Sequence, residues 1–109
     1  MDIAKHIAEN RDGFTIETPG GWVMAWRPGP DSIYIDDICI YPEFRNSGFV
    51  VALATVVEDM ARHDGCRYLY TNIHPTVEGA DRMEHIVLEF GFEKYLSSEI
   101  INVYRKELV

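Results

Sequence analysis

Positive charge is scarce in this chain: 10 Lys and Arg stand against 18 Asp and Glu, a formal net charge of −8 at pH 7. A surface that neutralises nucleic-acid phosphates must be basic, so direct nucleic-acid binding is not expected. An acidic surface instead draws cations, such as amines or basic protein segments, and also keeps a protein soluble. Cysteine is scarcer still. Cys39 and Cys66 are the only two, they fit no metal-ligand spacing, and their surroundings are strand-like. They read as buried free thiols, which points to a reducing compartment. His6, His63, His74 and His85 share no ligand spacing with the cysteines or with one another, so no metal site is expected. Long apolar runs are missing too. Nothing approaches the roughly 20 residues of a membrane span, and Asp2, Glu9 and Asp12 interrupt the stretch a signal peptide would need. A cytoplasmic location without a membrane partner is the expectation.

What is present suits one globular domain over residues 1–109: 2 Trp, 5 Phe and 6 Tyr give bulk for a single core. Burial is limited at this length, so a homodimer would add stability. Residues 2–10 carry Ile3, Ala4, Ile7 and Ala8 at helical spacing, with Gly13 as a stop. Strands are expected over Phe14–Thr18, Trp22–Arg27 and Ile33–Tyr41, separated by Pro- and Gly-rich turns. From Asn46 to Asp64 the period changes. Val50, Leu53, Ala54, Val57 and Ala61 form a helical stripe, with Glu58 and Asp59 on the solvated face and Gly65 as a stop. A strand over Arg67–Ile73 follows. Thr76 is placed to cap a helix running to Phe90, with Ala80, Met83, Val87 and Phe90 on one face. Glu93–Ser97 and Ile100–Lys106 close the chain as two strands.

The order is α-β-β-β-α-β-α-β-β, an α/β (α+β) fold. Strand, helix, strand in the middle implies a parallel pair inside a mixed, mostly antiparallel sheet. Trp22 and Trp26, four apart on one strand, share a face and suit either core packing or an acceptor wall.

The stretch Ile33–Val50 carries the chemistry. A strand runs through a short loop into the start of a long helix, where the first N–H groups have no internal partner and the peptide dipoles add positive charge. Such a junction binds anions. Gly48 leaves room for a ligand near the backbone, and Arg45 is the one fixed positive charge of the loop. Arg45, Asn46, Ser47, Gly48, Phe49 and Val50 resemble motif A of the GNAT acetyltransferase superfamily, preceded by Ile40-Tyr41-Pro42 and followed far downstream by Gly91-Phe92. The likeness covers Ile33 to Leu108 in the right order. It implies a GNAT-like domain that binds acetyl-coenzyme A as co-substrate, with Arg45 to Val50 cradling the pyrophosphate. Ile38, Cys39 and Ile40 would line the pantetheine arm.

Tyr34-Ile35-Asp36-Asp37 is similar to a string in polyamine-type members, where carboxylates meet the amine acceptor. The resemblance therefore implies an N-acetyltransferase acting on a small cationic or protein amine. Asp36 and Asp37 would be the catalytic carboxylates, and Tyr34, Asp36 and Trp22 would bind the substrate. In a regular strand only one of the two aspartates can face a given cleft. Some positions depart from the family. Val50 replaces a small residue, Val87 stands where many members carry a Tyr general acid, Ala80 replaces an Asn, and few residues precede the first strand. Tyr95, His74 and Tyr34 are candidate substitutes for the missing acid. These departures keep open a second function, a catalytically degenerate GNAT-fold module for protein binding or assembly.

Overall fold

The computed structural model describes residues 13–108. The helix expected over residues 2–10 lies outside them. Strands β1 (Gly13–Thr18), β2 (Gly21–Gly29) and β3 (Ser32–Ile40) form an antiparallel meander. A 3₁₀ turn at Pro42–Phe44 leads into helix α1 (Phe49–His63), then come β4 (Tyr68–Ile73), helix α2 (Ala80–Glu89), β5 (Glu93–Ser97) and β6 (Asn102–Glu107). The sheet order is β1-β2-β3-β4-β6-β5, with β3 and β4 its one parallel pair among the described residues. None of the helices described is long and apolar enough to cross a membrane.

Alternation sorts the sheet into two faces. Val23, Ala25, Ile33, Ile35 and Leu69 turn to one side and meet Val57 and Ala61 of α1, all but sealed from solvent. Cys66 is buried there, and burial pushes its thiol pKa up. Cys39 was expected to be buried as well. It is half-buried, because β3 runs beyond the helix-covered core at that point. The other face carries an aromatic row. Trp26 lies 5.7 Å from Tyr34 and Tyr34 6.2 Å from Tyr70, centroid to centroid, while the Arg105 guanidinium sits between the Tyr68 and Tyr95 rings at 4.6 and 4.4 Å.

Two expectations fail on local chemistry. Thr76 does not cap α2, which begins four residues later: Gly79 takes the N-cap with φ 83°, a left-handed conformation that glycine adopts cheaply. The preceding residues turn twice instead, through Val77 N–H to His74 O and Ala80 N–H to Val77 O. Glu58 is not merely solvated. It accepts from Lys106 of β6 at 2.6 Å and from Arg62 at 3.1 Å, tying α1 to the sheet. Partial burial works against its charge, but the two cations outweigh that and hold its carboxyl below the usual range.

Candidate active site

The parallel ladder between β3 and β4 is short. It runs from Ser32 opposite Tyr68 to Ile35 opposite Thr71 and stops. There the Thr71 hydroxyl donates to the Ile35 carbonyl at 3.2 Å, taking the place of a strand partner. Beyond this point β3 follows β2 while β4 follows β6, so the two strands part. A cavity of about 330 Å³ opens in the gap. Its floor is Ile35, Ile38, Thr71 and Ile73, and Val50, Val51 and Ala54 of α1 form one wall. Ala80, Met83, Val87 and Phe90, the apolar stripe of α2, form the other. That helix buries none of its residues fully: Ala80, Val87 and Phe90 pack against the edge of the core and also line the cavity.

Asp36 and Asp37 both line this cavity. Strict alternation would have sent them to opposite faces, but the register of β2 with β3 slips here, from Ala25 opposite Ile35 to Met24 opposite Asp37. Asp36 is thus the extra residue of a β-bulge, a device that re-aims side chains at strand ends. Desolvation by the surrounding walls raises the Asp37 carboxyl above its ordinary value; the Ile38 amide pulls it back, the Asp36 charge adds to the rise, and His74 opposes it. Asp37 therefore feels the charge of both neighbours at the mouth of the gap. The His74 ring contacts the Ile100 carbonyl through Nδ1 at 3.2 Å. A carbonyl oxygen only accepts, so Nδ1 carries the proton and Nε2 of the neutral ring keeps a lone pair.

The loop into α1 does not itself line the cavity: of the predicted cradle Arg45–Val50 only Val50 reaches it. Gly48 is the N-cap at φ 79°, with no side-chain cap on the helix and nothing within 4 Å of where a Cβ would stand. The first amides of α1 thus have no side-chain partner, the arrangement an anion site requires. Asn46 is left-handed at φ 62°, the Ser47 hydroxyl donates to the Phe44 carbonyl, and Arg45 Nε donates to the Ile40 carbonyl at 3.1 Å. Phe49 points away from the gap. Its ring lies against Gly20, where any Cβ would come within 2.7 Å, and so pins the start of α1 to the β1–β2 turn.

The remaining residues singled out from sequence sit apart. Cys39 pairs with Trp22 and Ile40 with Gly21 on the far stretch of β3, and neither Trp22 nor Tyr34 lines the cavity. Tyr34 belongs to the aromatic row and reaches the gap indirectly, accepting from Asn72 Nδ2 at 3.0 Å. Burial raises its pKa, Asn72 opposes the rise, and the Asp36 charge adds to it. Among the described residues no cluster of His, Cys, Asp or Glu is gathered to hold a metal. Sequence reasoning missed Arg82. This residue on α2 donates to the Asn46 side chain and so reaches the loop of the opposite wall.

The description "Acetyltransferase (GNAT) family" belongs to the family model that matches residues 7–92. No curated protein matches the chain. Solved structures do. A GNAT-family protein from Desulfovibrio desulfuricans superimposes with a TM-score of 0.79 at 16% identity, over 98% of this chain and 76% of its own. A GNAT acetyltransferase from Elizabethkingia anophelis with acetyl-CoA bound gives 0.73 at 15% identity, over 98% and 85%. PaiA N-acetyltransferase from Thermoplasma acidophilum in complex with coenzyme A gives 0.74 at 12%, over 91% and 63%. At these identities the likeness is one of fold.

Proposed function

The chain belongs to the GNAT acetyltransferase family, and from that premise we propose that it transfers acetyl from acetyl-coenzyme A to an amine, small and cationic or carried by a protein. One observation carries the reading: the β3–β4 ladder ends at Ile35 and Thr71, and the gap beyond it opens beside an uncapped helix start. The edge of β3 past Ile35 is free to pair with the amides of a pantetheine arm, and the first amides of α1 with a pyrophosphate. The residues fit the co-substrate, since the glycine at the phosphate end leaves a clear approach and the walls are apolar.

Asp36 and Asp37 would hold an ammonium acceptor at the mouth. Once the nitrogen is deprotonated, its lone pair attacks the thioester carbon. The C–N bond forms, the C–S bond breaks, and the nitrogen, which gave up one proton to solvent before attack, loses a second that the leaving sulfur takes up. His74, with a basic Nε2, is the cavity group suited to carry that proton. A strand amide of the free β3 edge near Ile40 would stabilise the oxyanion.

A second reading, a binding module without turnover, has one observation in its favour. Val87 lines the wall where many members place a tyrosine, and it offers no hydroxyl. Calorimetric titration with acetyl-coenzyme A, followed by an acceptor screen, separates the two. Micromolar binding with turnover of a polyamine or basic peptide supports the enzyme. Binding without turnover of any amine favours the module, and absence of binding sinks the enzyme and leaves only a module for protein binding or assembly.

A further inference from the structure

We propose that Arg82 is the residue that neutralises the pyrophosphate of acetyl-coenzyme A, supplying from α2 the charge that the loop before α1 lacks. The inference rests on the reading of the gap as the co-substrate site and adds to it a residue outside the motif. The loop itself is poor in charge. Arg45 is its single cation, and its Nε is spent on the Ile40 carbonyl at 3.1 Å, which folds the side chain back along β3. Arg82 comes from α2, 36 residues on, and its terminal nitrogen donates to the Asn46 side chain in the loop before α1.

Its position in α2 is otherwise unfavourable. Arg82 is the third residue of the helix, in the first turn, where the peptide dipoles disfavour a cation. Asp81 in the same turn favours the dipole, but Arg82 itself takes part in none of the ion pairs among the described residues. A side chain placed against the local field, exposed, and tied only to a neutral amide is explained by an anion between the two walls. The guanidinium is a planar fork with five N–H donors. Asn46 takes up one nitrogen, and the rest can close on two phosphate oxygens. Asn46 then acts as a positioning residue that holds the fork over the loop while Gly48 leaves the approach clear.

The test compares dissociation constants of acetyl-coenzyme A, its 3′-dephospho form and S-acetylpantetheine for the wild-type protein, Arg82→Gln, Arg82→Lys and Asn46→Ala. Each variant is first checked for an unchanged melting temperature. Losing a charge-assisted pair predicts that Arg82→Gln weakens both pyrophosphate-bearing ligands by about tenfold or more. S-acetylpantetheine should be untouched, Arg82→Lys should recover part of the loss, and Asn46→Ala should cost less than Arg82→Gln. Three outcomes overturn the assignment: affinity within twofold of wild type in Arg82→Gln, a loss confined to the 3′-phosphorylated ligand, or an equal loss with S-acetylpantetheine. A wild-type protein that binds acetyl-coenzyme A while Arg82→Gln is silent refutes the role of Arg82 alone. A wild-type protein that binds none of the three refutes the cleft reading with it.

Discussion

The two ends of the β3–β4 pair share a strand sequence and little else. At the Ser32–Ile35 end the ladder is in register, and Ile33, Ile35 and Leu69 are sealed under α1. At the Asp36–Ile40 end the ladder is gone, and the residues are half-buried or exposed and partly ionisable. One end spends its backbone groups and apolar surface on folding. The other keeps them free, which is what a site for an extended ligand needs. The contrast suggests that stability and ligand binding can be damaged separately in a chain this small.

Leu69→Ala should break the closed end. Removing a fully buried leucine costs about 2–5 kcal/mol, read as a fall in the denaturation midpoint. The fraction that stays folded should bind acetyl-coenzyme A as before. If affinity falls in step with stability, the two ends are not independent. Gly48→Glu should break the open end, with an expected loss of about 100-fold in affinity, or about 2.7 kcal/mol, as a carboxylate enters the phosphate site. Left-handed backbone at φ 79° strains any other residue, so Gly48→Ala is the control for strain without charge. Comparable losses in both would assign the effect to backbone conformation.

Asp37→Asn sharpens the open end further. A carboxylate that only orients the amine should cost about tenfold in kcat/KM, equal to roughly 1.4 kcal/mol, whereas one that also relays the proton should cost 100-fold or more. Unchanged turnover of every acceptor would remove Asp37 from the mechanism. The smallest effect is expected at the strut of the closed end. Lys106→Met should cost about 1 kcal/mol at neutral pH, by freeing Glu58 from its closest partner. Glu58 has a depressed pKa, so its contribution is present above the unfolded carboxyl value and fades as pH falls through the folded value. The gap between wild type and Lys106→Met should therefore narrow in acid, and a pH-independent gap would mean that the pair contributes through packing alone.

The closed end was legible in the sequence because it is built by periodicity. The helical stripe of Leu53, Val57 and Ala61, flanked by β-branched strands, leaves little choice of order or type. Strand bounds fell within one or two residues where a turn glycine marked them. The start of α2 was hidden because Thr76 is the better cap by residue type, while the left-handed Gly79 is set by the turn from His74 to Ala80. At the open end the phosphate loop was legible from Arg45 to Val50, since an anion site at a helix start is a local feature. The shared orientation of Asp36 and Asp37 was not, because a bulge depends on the register with β2 and leaves no mark in the strand itself. The stripe of Ala80, Met83, Val87 and Phe90 was found, but periodicity cannot tell a core from the wall of a cavity. Arg82 could not be found at all, since nothing local ties it to Asn46.

Four registered residue pairs also join the two halves of the sheet, β1-β2-β3 on one side and β4-β6-β5 on the other. The halves are arranged as a zip closed over a few teeth, its runners parted at the top. A ligand threaded between the runners would extend the closed length and stiffen the whole sheet in shear. The backbone amides at the upper ends of β3 and β4 would then trade hydrogen for deuterium quickly in the empty protein and slowly once the zip is filled.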